Sequence, residues 1–131
     1  MKRIKHPLIT ILTSILLTSP ASAEKSPFSD EQICKATISL LMMQKPSIMS
    51  AETSGDEVTV TYEAPTDGAI YINKCKIDKS NKTIVWAAKW RGEWGAWTDS
   101  IYDPVISYSI KRKKLTVSKG SRSKVYTLKD F

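Results

Sequence analysis

Residues 58–77 have the sequence VTVTYEAPTDGAIYINKCKI, and this stretch decides the fold. Val58, Val60 and Tyr62 alternate with polar residues, and a period of two is typical of a strand with one buried face. The Pro-Thr-Asp-Gly segment that follows has turn chemistry. A second strand comes next, with Cys75 on the face that we expect to point inward. The stretch therefore predicts an antiparallel hairpin.

Short segments with similar alternation occupy most of the chain on either side of this hairpin. They are separated by Lys-rich or Gly/Ser turns, and no internal repeat connects them. Together with the hairpin they predict seven or eight strands in a meander. The additional segments are residues 48–52, 84–90, 94–97, 105–110, 115–118 and 124–128.

One helix is predicted before the strands. Ser29 and Gln32 have the spacing of a capping box, and apolar residues then recur at three-and-four spacing to about Gln44. Pro46 ends the helix. The sequence therefore predicts an α+β fold, in which an N-terminal amphipathic helix packs on a curved antiparallel β-meander.

The N terminus indicates export. Basic residues at positions 2, 3 and 5 precede an apolar run over residues 8–17, and Ala21-Ser22-Ala23 matches a signal-peptidase site. The run is too short to cross the hydrocarbon core as a helix. We therefore expect residues 1–23 to be a signal peptide and residues 24–131 to be one domain, periplasmic or secreted after cleavage near Ala23.

Two cysteines, Cys34 and Cys75, remain in the mature chain. An even count in an exported protein predicts one disulfide. Two free thiols or an intermolecular bridge are the alternatives. Closing so long a loop stabilises the folded state by roughly 4 kcal/mol in the loop-closure treatment, a large fraction of the stability of a small domain.

Positive charge is concentrated at the C-terminal end. Residues 24–110 carry 9 bases and 12 acids, whereas residues 111–131 carry 8 bases and one acid. A basic end on a slightly acidic body indicates contact with an anionic surface, although bases at edge strands also prevent aggregation. The candidate contact residues are Lys111, Arg112, Lys113, Lys114, Lys119, Arg122 and Lys124.

All four tryptophans lie in residues 85–99, VWAAKWRGEWGAWTD. They form either a buried cluster or an exposed platform for a ligand. Strand alternation predicts that Trp86, Trp90 and Trp94 pack on one another. Trp97, beside Asp99, is then the best candidate for an exposed ligand contact.

The mature chain lacks the residues of several common kinds of site. The single histidine of the full sequence, His6, lies in the predicted leader. The mature chain therefore has no histidine, which excludes histidine-based catalysis and nearly all zinc arrangements. It also has no glycine-rich nucleotide motif. We expect no cofactor and no catalysis. A carboxylate pair drawn from Glu63, Asp67, Glu93, Asp99 and Asp103 is the one hydrolytic alternative.

Several segments carry a resemblance that covers most of the mature chain. They are Tyr62-Glu63-Ala64-Pro65-Thr66-Asp67-Gly68, Tyr71, Lys74-Cys75-Lys76, Ile84-Val85-Trp86, Trp94 and Trp97. In these segments the chain resembles a loose family of small exported bacterial proteins. The resemblance implies an exported single domain and implies no activity.

The sequence thus predicts an exported binding domain that contacts a protein or an anionic envelope component. One alternative is a carbohydrate- or cell-wall-binding module built on Trp97 and neighbouring carboxylates. Another is a structural component of an envelope or secretion assembly. The position of the indole rings distinguishes the carbohydrate-binding module from the other two functions, because a binding platform needs exposed rings.

Overall fold

A computed structural model describes residues 26–98 and 103–131, so the predicted leader lies outside the described residues. Helix α1 spans Asp30–Met42. Its capping box is present, because the Gln32 N–H donates to Ser29 Oγ at 3.1 Å and the Ser29 N–H donates to Gln32 Oε1 at 3.0 Å. The helix ends at Met43, whose φ of 55° is left-handed. A short 3₁₀ helix, Pro46–Ile48, then leads into the first strand.

Eight antiparallel strands follow the helix. They are β1 (Met49–Ser54), β2 (Glu57–Glu63), β3 (Ile70–Asp78), β4 (Thr83–Trp90), β5 (Glu93–Trp94), β6 (Ile106–Lys111), β7 (Lys114–Lys119) and β8 (Arg122–Tyr126). The sheet order is β1-β2-β3-β4-β6-β7-β8, with β5 paired to β4. A second 3₁₀ helix, Leu128–Asp130, precedes the C terminus.

The sheet curls around the helix. Helix α1 contacts β1, β2 and β3 and also β7 and β8, which lie at the other end of the strand order. One face of every long strand therefore turns inward and supplies the core. Its buried members include Ile38, Val60, Leu115, Val117 and Tyr126. This arrangement confirms the predicted α+β fold with a helix on a curved antiparallel meander.

The predicted disulfide is present. Cys34 on α1 is bonded to Cys75 on β3, and both residues are completely buried. Cys75 is paired with Val58 on β2 and with Trp86 on β4. The bond therefore ties the helix to the middle of the sheet.

The outer face of the sheet has three different regions. On β1 and β2 it carries the carboxylates of Glu52, Glu57 and Glu63. On β3 and β4 it carries lysines that lie under the tryptophan segment. On β6, β7 and β8 it is lined by hydroxyl groups and ends in four bases. Any contact with a partner on this face meets a different chemistry in each region.

Candidate functional site

Trp86 is the structural tryptophan. It lies on the inner face, paired with Cys75, and packs against the buried core. Its indole Nε1 is buried and has no hydrogen-bond partner among the residues that the structure describes. The predicted core indole is therefore a half-buried side chain that packs against the core.

The predicted packing of Trp86, Trp90 and Trp94 on one another is wrong. Strands β4 and β5 are joined by a two-residue turn, Arg91 and Gly92, so that Trp90 pairs with Glu93 and Trp94 pairs with Lys89. A change of one residue in the turn moves a side chain to the other face. Trp94 therefore lies on the outer face, opposite to Trp86 and Trp90.

Trp97 is less exposed than the sequence predicted. It is half-buried, whereas Trp90 is 70% exposed and Trp94 37% exposed. The predicted strand over residues 94–97 is reduced to Glu93–Trp94. After it the chain still follows β4, because the Thr98 N–H donates to the Trp86 carbonyl at 2.8 Å. This contact holds Trp97 against the sheet.

Lysine side chains on the outer face of the sheet contact the rings of Trp94 and Trp97. The Lys74 Nζ lies 4.4 Å from the centre of the Trp94 ring and 4.7 Å from that of Trp97. Lys76 Nζ is 4.8 Å from the Trp97 ring. Glu57 compensates the charge of Lys74, with Oε1 at 3.4 Å from Nζ. These cation–π contacts hold the segment in place, so Trp97 is engaged by the protein's own cations.

Asp67 and Asp99 are two of the carboxylates that were considered for a hydrolytic pair. Asp99 lies outside the described residues. Asp67 acts within its own turn, since it accepts a hydrogen bond from the Ala69 N–H at 3.0 Å. Within the described residues, no group of three or more histidine, cysteine, aspartate or glutamate side chains has the geometry to hold a metal ion.

The first four basic candidates form one turn, which we call the basic turn: Lys111, Arg112, Lys113 and Lys114. Lys111 pairs with Lys114, so Arg112 and Lys113 make a two-residue connection between β6 and β7. Their φ values are 50° and 63°, both left-handed. All four side chains are exposed. The basic turn is therefore a projecting cationic tip.

The other three basic candidates do not belong to that tip. Lys119 and Arg122 pair at the far end of β7, about 17 Å along the strand from Lys114 at 3.4 Å per residue. Arg122 donates a hydrogen bond from Nη2 to the Leu40 carbonyl near the end of α1. Lys124 lies 5.3 Å from the ring of Tyr126. The predicted single patch is wrong, because strand pairing puts these three residues in register with inner-face residues, on the other side of the strands from Lys111 and Lys114.

Hydroxyl groups accompany the basic turn on the outer face. A shallow depression of about 440 Å³ is lined by Ser109, Lys111, Arg112, Lys114, Thr116 and Val125. Ser109 pairs directly with Thr116, next to the Lys111–Lys114 pair. These two hydroxyl residues were not among the candidates predicted from the sequence. The alternation of serine with Ile106, Tyr108 and Ile110 along β6 was the signal for Ser109.

Three pKa shifts occur on or beside these strands. Burial raises the pKa of the Tyr108 and Tyr126 hydroxyls, and for Tyr126 the hydrogen bond to Ser39 partly offsets that rise. Hydrogen bonds from Asn81 lower the pKa of Asp78 in the turn between β3 and β4. All three shifts move the titration away from neutral pH. The charges on these groups therefore stay constant under ordinary conditions.

The fold and surface define a small α+β domain with one disulfide and a projecting cationic turn. Comparison of the chain with protein-family models, with curated proteins and with solved structures gave no match. No helix in residues 26–98 and 103–131 is long and apolar enough to cross a membrane. The geometry of the surface therefore carries the functional argument.

Proposed function

We propose that this protein is an exported, non-catalytic binding domain whose basic turn contacts an anionic component of the cell envelope. The observation that carries the proposal is the backbone of that turn. Arg112 and Lys113 both occupy the left-handed region, where φ is 50° and 63°. Two-residue turns of this kind strongly favour Asn-Gly, because a side chain in that region costs about 1 kcal/mol or more.

No packing explains this choice of residues. All four side chains of the basic turn are exposed, so they fill no cavity in the protein. Single non-glycine residues with positive φ also occur at Met43, Lys82 and Arg91, but within the described residues the basic turn is the place where two such residues are adjacent. Strained backbone of this kind clusters at functional sites. Four adjacent cations on a projecting tip attract an anionic surface, although each exposed ion pair contributes only about 0–1 kcal/mol. The charges therefore act as a group.

Replacing Arg112 with Asn and Lys113 with Gly tests the link between strain and function. We expect the free energy of unfolding to rise by about 1 kcal/mol, because Asn-Gly relieves the left-handed strain. Denaturant titration measures this change. Binding to the envelope fraction of the host should fall in the same variant. A variant that is more stable and binds as well as the wild type contradicts the proposal.

Replacing Lys111, Arg112, Lys113 and Lys114 together with Ser tests the charge itself. We expect little change in melting temperature, since exposed ion pairs stabilise weakly. Binding to envelope fractions should fall several-fold and lose its dependence on salt, because salt screens only a charged contact. Sedimentation of purified protein with envelope fractions at several salt concentrations measures both effects.

The matched control removes the same charge elsewhere. Lys35, Lys45, Lys79 and Lys129 are replaced with Ser in one variant, which leaves the basic turn intact. This control should keep most of the binding and its salt dependence. An equal loss in the two variants shows that only the net charge matters, and the basic turn then has no specific role.

A further inference from the structure

The outer face of β6, β7 and β8 carries five hydroxyl side chains, with Val125 beside Thr116. Ser107 pairs with Ser118, and Ser109 pairs with Thr116. Ser118 also pairs with Ser123 on β8, and their hydroxyl oxygens are 3.2 Å apart. We call these five residues the hydroxyl row: Ser107, Ser109, Thr116, Ser118 and Ser123.

The hydroxyl row runs directly into the basic turn. Along β6 the outer face passes from Ser107 through Ser109 to Lys111, and along β7 from Lys114 through Thr116 to Ser118. The depression of about 440 Å³ joins the two features, since it is lined by hydroxyl and cationic side chains together. The surface therefore offers charge at one end and hydrogen-bonding groups beyond it, over roughly 14 Å of strand from the Lys111–Lys114 pair to the Ser107–Ser118 pair.

Each hydroxyl can both donate and accept a hydrogen bond. A ligand that matches such a surface carries many hydroxyls of its own in addition to negative charge. Acidic polysaccharides have this composition, because each sugar presents hydroxyls and some also present a carboxylate.

We propose that the hydroxyl row and the basic turn together bind an acidic polysaccharide chain. The anionic groups contact Lys111, Arg112 and Lys114, and the sugar hydroxyls exchange hydrogen bonds with Ser109 and Thr116. This inference rests on the proposed function and specifies the class of anion. The carboxylates of Glu52, Glu57 and Glu63 on the outer face of β1 and β2 disfavour an anionic polymer at the other end of the sheet.

A lipid surface fits this face less well. Interfacial membrane contacts use large apolar and aromatic side chains together with cations. On the described outer face of β6, β7 and β8, Val125 is the exposed large apolar side chain. The exposed aromatic residue Trp90 is carried by β4, outside this face. The surface can therefore contact the headgroup charge of a bilayer, but it supplies few apolar side chains that could insert into the bilayer.

The test compares four probes by isothermal titration calorimetry: polygalacturonate, neutral dextran, inorganic polyphosphate, and vesicles containing phosphatidylglycerol. We expect polygalacturonate to bind and dextran to bind far more weakly. Polyphosphate has the charge without the hydroxyls, so it should bind with lower affinity per charge. Binding to the vesicles alone overturns the inference.

A variant of the hydroxyl row separates this inference from the proposed function. Ser107→Ala, Ser109→Ala and Thr116→Val in one protein should weaken polygalacturonate binding about five- to tenfold and leave polyphosphate binding unchanged. Thr59→Val and Thr61→Val on the outer face of β2 form the matched control, which should bind polygalacturonate as the wild type does. Melting temperatures of both variants verify that the fold is intact.

The outcomes are distinct. Unchanged polygalacturonate affinity in the hydroxyl-row variant, with a loss in the Ser variant of the basic turn, overturns the polysaccharide inference and leaves an anionic contact in place. Unchanged envelope binding in the Ser variant of the basic turn overturns the proposed function. An equal loss of polyphosphate and polygalacturonate binding in the hydroxyl-row variant also overturns the inference, because it shows that hydroxyl recognition is not involved.

Discussion

Cys34→Ser is expected to lower the free energy of unfolding by about 2–5 kcal/mol. The disulfide joins positions 41 residues apart in the sequence, so breaking it restores much conformational freedom to the unfolded chain. It also removes the covalent link between α1 and β3 and leaves a buried polar group in the core. For a domain whose total stability is about 5–15 kcal/mol, this loss is large.

Chemical denaturation of the oxidised wild type, of Cys34→Ser and of Cys75→Ser measures the effect. The two single variants should lose similar amounts, because each breaks the same bond. The wild type under reducing conditions serves as the control without a substitution and should approach the stability of the variants. Equal midpoints for oxidised and reduced wild-type protein contradict this prediction.

Trp86→Ala should cost about 3 kcal/mol, the lower end of the range for truncating a buried aromatic side chain, because Trp86 is half-buried. Trp86 packs against the core on the inner face of β4, next to the disulfide. Its removal leaves a cavity beside the core.

Trp90→Ala is the matched control for Trp86→Ala. Trp90 is on the same strand and is 70% exposed, so its truncation should change stability by no more than about 0.5 kcal/mol. Thermal and denaturant unfolding of the two variants, followed by circular dichroism, gives the comparison. Similar losses in both variants mean that Trp86 is not the structural tryptophan.

Local chemistry in the sequence determined the secondary structure and the broad fold. The capping box at Ser29 and Gln32 and the apolar period predicted α1, which the structure places at Asp30–Met42. Alternation at Val58, Val60 and Tyr62 predicted both the strand and its buried face. The single pair of cysteines predicted the disulfide. The helix and the strand depend on residues a few positions apart, and two cysteines allow a single intramolecular pairing, so local sequence was enough to predict them.

The faces of the tryptophan hairpin depended on information that the sequence states only weakly. The turn has two residues, Arg91 and Gly92, whereas the predicted strands over residues 84–90 and 94–97 left three residues between them. Because side chains alternate with period two, this difference of one residue placed Trp94 on the outer face. Lys74 and Lys76 then contact the rings of Trp94 and Trp97, and Trp90, at 70%, is the most exposed of the four indoles.

The separation of the basic residues into two groups was likewise determined by the tertiary structure. In the sequence the bases from Lys111 to Lys124 form one cluster, yet β7 separates the basic turn from Lys119 and Arg122 by a full strand length. Curling of the sheet brings Arg122 to the Leu40 carbonyl at the end of the helix. It also leaves the hydroxyl row outside with the basic turn. Whether a base contacts the rest of the fold or projects into solvent was therefore set by strand pairing and sheet curvature, because both act between residues far apart in the chain.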